Sequence, residues 1–213
     1  MKDNVFFVSG IDTNVGKSYA TGYLAKTWNE QGVRTITQKF IQTGNVGMSE
    51  DIELHRKIMG TGLLPEDESG LTMPEIFTYP CSPHLAAEID HRPIDFDKIE
   101  KATRQLSETY DAVLLEGAGG LMVPLTRDLL TIDYVAQKNY PLIFVTSGKL
   151  GSINHILLSL EAITRRGIRL HTVAYNLFPE EDDDIIRRDT EAYIRDLLAK
   201  EYPETHFVIV PKL

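Results

Sequence analysis

Cysteine is almost missing from this chain: Cys81 is the only one in 213 residues. A single thiol excludes an intrachain disulfide and any multi-cysteine metal site, and it suits a reducing cytosol. No His-and-Asn setting marks Cys81 as a nucleophile, so it reads as a half-buried loop residue. Basic charge is also scarce, with 22 Lys and Arg against 31 Asp and Glu. The net charge of −9 argues against a nucleic-acid footprint, which calls for a basic face, although a locally basic site is compatible with it. No apolar run approaches the roughly 18 residues of a membrane span. Met1-Lys2-Asp3-Asn4 leads straight into an apolar strand without the h-region of a signal peptide. A cytoplasmic chain is expected. Repeats, low-complexity tracts and linkers are absent, and the one run of like charge, Glu180 to Asp184, reads as a solvated loop entering a helix.

What is present is ordinary globular material, 42% apolar and 25% charged. Short β-branched or aromatic runs alternate with longer amphipathic ones. Strands are expected at Val5–Ser9, Val33–Lys39, Ala112–Glu116, Leu142–Thr146, Arg169–Asn176 and His206–Val210. Helices are expected at Lys17–Glu30, Glu50–Met59, His84–Asp90, Asp95–Thr109, Leu130–Lys138, Ile153–Arg166 and Asp184–Lys200. Thr61 to Pro83 holds four prolines and reads as irregular connection, with a short strand at Ile76–Tyr79. Apolar strands interleaved with helices imply a mostly parallel sheet covered on both faces. The expectation is one doubly wound α/β domain spanning residues 1–213.

The strongest local signal is Gly10-Ile11-Asp12-Thr13-Asn14-Val15-Gly16-Lys17-Ser18, lying between an expected strand and an expected helix. Gly16 lets backbone amides approach an anion, and the helix N-terminus adds positive potential. Lys17 can reach the β- and γ-phosphates of a nucleotide, and the Ser18 hydroxyl can ligate magnesium. The general phosphate-loop pattern has four residues between its glycines; here five separate Gly10 from Gly16. An ordinary turn capped by Thr13 or Asn14 is the plain alternative.

Phosphoryl transfer also needs carboxylates for magnesium and cations for the phosphoryl charge. Glu116 ends the apolar run Ala112–Leu115 at the carboxyl edge of the sheet, and Gly117-Ala118-Gly119-Gly120 after it permits close backbone approach. The alternative is a carboxylate that caps the next segment. Lys39 ends the second strand on the same edge, where it either faces a γ-phosphate or is solvated. Asp51 either ligates magnesium or is a favourable first-turn charge.

Together these residues resemble dethiobiotin synthetase. The resemblance comprises the phosphate loop in its five-residue form, Lys39 four residues before Thr43, and Asp51. It continues through Ser82-Pro83-His84, Glu116-Gly117-Ala118-Gly119-Gly120, Lys149-Leu150-Gly151-Ser152-Ile153-Asn154-His155 and Asn176, over about residues 5 to 176. It implies carboxylation and ring closure of 7,8-diaminononanoate with carbon dioxide, driven by ATP, through a carbamate and a carbamic-phosphoric anhydride. Lys17 and Lys39 would stabilise the phosphoryl and carbamate charge; Ser18, Asp51 and Glu116 would hold magnesium. Asp12, Thr13, Asn14, Val15, Gly16 and Gly119 would line the nucleotide, with Asn176 and Pro211 at its base. Thr13, Thr43 and Gly120 would meet the substrate, as would Leu150, Gly151, Ser152, Ile153 and Asn154 from the partner subunit of a homodimer. The plain alternative for that last segment is a helix start with Ser152 as N-cap. Many family members continue past the equivalent of Pro211 with a loop and helix around the base, so base recognition is expected to be looser or differently built here, which leaves the nucleotide preference open.

Two other classes fit less well. An amidotransferase of the cobyric acid type needs a glutaminase cysteine in a longer chain. A ParA- or MinD-like nucleotide switch typically carries an extra lysine early in its phosphate loop, where Gly10-Ile11-Asp12-Thr13 has none.

Overall fold

The computed structural model describes residues 4–178 and 183–212. Its elements are β1 (Val5–Gly10), α1 (Lys17–Glu30), β2 (Thr35–Lys39), β3 (Gln42–Thr43), α2 (Glu50–Met59), α3 (Pro65–Glu68), β4 (Ile76–Phe77) and α4 (Pro83–Ile89). They continue with α5 (Phe96–Thr109), β5 (Ala112–Gly120), α6 (Thr131–Lys138), β6 (Leu142–Ser147), α7 (Ser152–Arg165), β7 (Leu170–Asn176), α8 (Asp184–Glu201) and β8 (His206–Val210).

Six strands form one sheet in the order β2-β5-β1-β6-β7-β8, every neighbouring pair parallel. The period-2 alternation of strand side chains divides the core between the two faces. Val8, Leu114, Ile143 and Ala174 pack with Ala20 and Leu24 of α1, while Phe7, Leu115, Phe144 and Val173 pack with residues of α5 to α8. Buried on both faces, the strands need continuous apolar runs, which explains why they stand out in the sequence. Parallel strands end on one common edge. The order changes direction at β1, with β5 and β2 to one side and β6 to β8 on the other, and that switch point is where such sheets bind ligands.

Three expectations are corrected. β5 does not end at Glu116 but runs to Gly120, because Gly120 still pairs with Gly10 and glycines place no side chain between the strands. Thr61 to Pro83 is not wholly irregular: Pro65 opens the short helix α3, where Asp67 accepts from the Leu64 amide at 2.8 Å. The strand expected to reach Tyr79 stops at Phe77, since the Thr78 amide donates to Asp90 Oδ2 at 2.9 Å; its partner is Gln42–Thr43. Of the acidic run, Glu180 to Asp182 lie outside the described residues, and Asp183 caps α8 by accepting from Ile185 N. Among the described residues, no helix is long and apolar enough to cross a membrane.

At the opposite edge of the sheet His171 lies between Phe6, 4.8 Å away between ring centres, and His206, 5.2 Å away. Burial, with help from His206 and Arg169, pushes His171 down to about 4. Between about pH 4 and the ordinary value of 6.5, the unfolded chain therefore binds a proton that the folded chain refuses. Stability must fall as pH falls through that window. His171→Gln is expected to flatten this slope in denaturant titrations at about pH 5 and pH 7; an unchanged slope would remove His171 as its source.

Candidate active site

The phosphate loop joins β1 to α1 at the switch point. Gly16 is the N-cap of α1 with φ 82°, a left-handed conformation that glycine adopts without steric cost. A Cβ there would lie 2.1 Å from Asn176 Nδ2. Asn176, at the end of β7, is itself buried; its Nδ2 donates to the Val15 carbonyl at 3.0 Å, and its Oδ1 accepts from Phe178 N at 3.1 Å. The loop is thereby braced from a second strand. Val15 turns its side chain into the α1 face of the core, so only its backbone is left for a ligand.

Lys17 is buried and donates to the loop's own carbonyls, Asp12 O at 2.8 Å and Thr13 O at 3.0 Å. Burial pushes it down to about 8; Glu116 counters that shift and Lys39 adds to it.

Beside the loop, three elements bring their side chains to one point. Alternation along β2 puts Thr37 and Lys39 on the α2 face and turns Gln38 away toward Thr103. Lys39 Nζ lies 2.5 Å from Asp51 Oδ2 and 2.8 Å from Glu116 Oε1, and donates to Gly117 O at 3.3 Å. The Ser18 hydroxyl lies 2.7 Å from Asp51 Oδ1 and 2.9 Å from Glu116 Oε1. A hydroxyl has one proton, so it cannot donate to both carboxylates at once. Glu116 is fully buried. Burial alone would raise its carboxyl group, but Lys39 and His55 outweigh that and hold it well below the usual carboxylate range. Burial likewise disfavours charge on Lys39, yet Glu116 and Asp51 leave it raised. Lys39 and Glu116 are therefore ionised in each other's presence.

The cluster opens into a cleft of about 450 Å³ lined also by Thr13, Asn14, Thr43, Gly119, Tyr19 and Phe178. Asp12 and Gly120 line a second cleft of about 440 Å³ on the other side of the phosphate loop, with Thr13 shared between the two. Leu150, Gly151 and Ser152 line a third, smaller cavity, about 160 Å³. The structure thus gathers Ser18, Lys39, Asp51 and Glu116 but keeps the start of α7 apart from them within one chain. Ser152 is not the N-cap of α7; Gly151 is, at φ 90°, and the Ser152 hydroxyl is buried without a partner. Ile153 is half-buried and Asn154 exposed on the first turn. Pro211 follows Val210, which pairs with Asn176, and does not line the cleft.

Sequence reading missed His55. Its Nε2 lies 2.8 Å from Glu116 Oε2 and its Nδ1 3.0 Å from Thr37 Oγ1. The signal was available: Asp51 and His55 are four apart on α2 and so face one way.

A phosphate loop on a parallel sheet, with two carboxylates at the first-turn serine, defines a P-loop nucleotide-dependent protein. A family model described as an AAA domain matches residues 4–213. Among solved structures, a ParA family ATPase from Chlorobium tepidum TLS aligns with TM-score 0.54 at 12% identity, covering 99% of this chain and 85% of that one. Chloroplast FtsY from Physcomitrella patens aligns with TM-score 0.53 at 16% identity, covering 100% and 60%. Such identities speak for the fold alone. Two curated relatives are much nearer, both called ATP-dependent dethiobiotin synthetase BioD 2. That of Pasteurella multocida is 52% identical over 206 residues, 97% of this chain and 96% of its own. That of Haemophilus influenzae is 56% identical over 184 residues, 86% and 96%. The ATP-dependent dethiobiotin synthetase BioD of Chlorobaculum tepidum is 52% identical over 191 residues, 90% and 80%. The chain belongs to the dethiobiotin synthetase family.

Gly16→Ala should both strain the left-handed N-cap and drive a methyl group into Asn176. The expected result is a loss of nucleotide affinity of about five- to 150-fold by calorimetry, from the roughly 1–3 kcal/mol that such backbone strain costs. Unchanged affinity would mean that the loop can re-form around a side chain.

Proposed function

We propose that this chain, acting as one P-loop domain, is an ATP-dependent cyclo-ligase that makes dethiobiotin from 7,8-diaminononanoate and carbon dioxide. One substrate amine takes up carbon dioxide as a carbamate. The carbamate oxygen attacks the γ-phosphorus of ATP, ADP leaves, and a carbamic-phosphoric anhydride results. The second amine attacks the carbonyl carbon, phosphate leaves, and the cyclic urea closes. Holding the reactants in line contributes about 7–11 kcal/mol of the barrier reduction.

The observation that carries this reading is the meeting of Ser18, Lys39, Asp51 and Glu116 beside the phosphate loop. The oxygens of Ser18, Asp51 and Glu116 suit magnesium, a hard cation that takes few protein ligands and completes its shell with water and phosphate. Bound there, magnesium would neutralise phosphate charge. Ser18, Asp51 and Glu116 are its proposed ligands. In this arrangement Lys39 gives up its carboxylate partners and turns its ammonium toward the carbamate and γ-phosphoryl oxygens. Lys17 exchanges the Asp12 and Thr13 carbonyls for phosphate in the same way. Asp12 to Ser18 and Gly119 line the triphosphate, and Thr13 and Thr43 hold the reacting end of the substrate. Asn176 and Pro211, which lie outside the cleft at the end of β7 and just past β8, are assigned to the base.

The proposal includes a homodimer, in which Leu150 to Asn154 of the partner subunit present α7 amides to the substrate carboxylate beside Gly120. Met122 and Leu158, 55% and 59% exposed on the cleft that contains Gly120, support such a covering. The cytoplasmic location expected from the lone thiol belongs to the same proposal.

Purified protein given the diamine, labelled bicarbonate, magnesium and ATP should form singly labelled dethiobiotin in step with ADP, read by mass spectrometry. A folded protein silent with every nucleoside triphosphate would overturn the reading. Lys39→Ala should cut turnover by about a hundred- to a thousandfold with nucleotide binding largely kept; full activity would remove Lys39 from the mechanism. Glu116→Gln should weaken turnover and magnesium dependence together, and an unaltered magnesium titration would count against its role as a ligand.

A further inference from the structure

Glu116 is a carboxylate with no water to turn to: it is 0% exposed, and its two oxygens are held by different partners. Oε1 faces Lys39 Nζ at 2.8 Å and Ser18 Oγ at 2.9 Å, on the side of the cleft. Oε2 faces away, to His55 Nε2 at 2.8 Å. His55 is itself 0% exposed. Its other nitrogen meets Thr37 Oγ1, which accepts from Arg56 Nη1 at 2.9 Å. An ionised carboxylate can only accept, so His55 Nε2 carries the proton of its contact with Glu116. Arg56 is fixed in turn by Asp67, at 2.8 Å through both Nε and Nη2. The result is a chain of contacts from Arg56 through Thr37 and His55 to Glu116, anchored outside the reacting cluster.

We propose that His55 is a positioning residue: by holding Glu116 Oε2, it keeps Oε1 turned toward Ser18 and so sets the affinity of the site for the nucleotide-bound divalent cation. This rests on the reading of Glu116 as a metal ligand given above. The carboxylate can rotate about its last bond, and Lys39 and Ser18 both act on the same oxygen. Among the described residues, only His55 holds the second oxygen and so fixes the plane of the group. Partners that orient a ligating group in this way commonly contribute about 10–100-fold in metal affinity.

Two substitutions separate positioning from simple support. His55→Asn puts an amide where Nδ1 lies, within reach of Thr37 but short of Glu116. His55→Gln reaches as far as Nε2 and can still donate to Glu116. Manganese(II) binding is measured by electron paramagnetic resonance with the full chain and a non-hydrolysable ATP analogue, alongside melting temperatures and with Glu116→Gln as reference. The expected result is manganese binding weakened about tenfold in His55→Asn and within about twofold of the parent in His55→Gln. Parent-like binding in His55→Asn, with Glu116→Gln weakened, overturns the positioning role alone. Equal weakening in the Asn and Gln variants, following their melting temperatures, also overturns it. Parent-like binding in Glu116→Gln overturns the ligand reading itself, and the role of His55 with it.

Discussion

A carboxylate buried without solvent stays charged only if positive or donating groups surround it, and the candidate site is built around meeting that demand at Glu116. Lys39, Ser18 and His55 come from β2, α1 and α2, three elements that share no turn with β5. Each must be in place for the others to be tolerated, since Lys39 would be equally costly if left alone. The sheet order supplies the geometry: β5 lies between β2 and β1, so its last apolar residues run beside both the Lys39 strand and the strand that feeds the phosphate loop. Charge compensation and strand order are two aspects of one constraint.

The phosphate loop has a second function as a wall. Three cavities meet along it, and Asp12, Thr13 and Asn14 are each shared between two of them. The loop can therefore face a nucleotide on one side and a different ligand on the other without moving. That division fits the proposed reaction, whose two reactants must meet end to end.

How much was legible in the sequence depended on what fixes each residue. α1 begins and ends where expected, at Lys17 and Glu30, because its start is set by a glycine and its end by the polar Gln31-Gly32. Glu116, Lys39 and Asp51 were legible because strand ends and first helical turns place residues locally. β5 ran longer than expected because its extension depends on Gly10 pairing with Gly120, a contact between distant segments. Ser152 gave way to Gly151 as the cap of α7 because glycine adopts the left-handed turn at no cost. His55 was missed since a lone histidine on a helix face carries no signal of its own. Only its spacing from Asp51, joined to knowledge of where Glu116 sits, gives it meaning.

The hold of the phosphate loop on Lys17 has a consequence for the loop itself. Two carbonyl oxygens of the loop stand ready to receive the ammonium at 2.8 and 3.0 Å. The ammonium is therefore compensated within the loop itself, and any anion that takes it must compete with those two oxygens. The same two contacts tie the early residues of the loop to the first residue of α1, so the lysine works as a clasp on its own backbone.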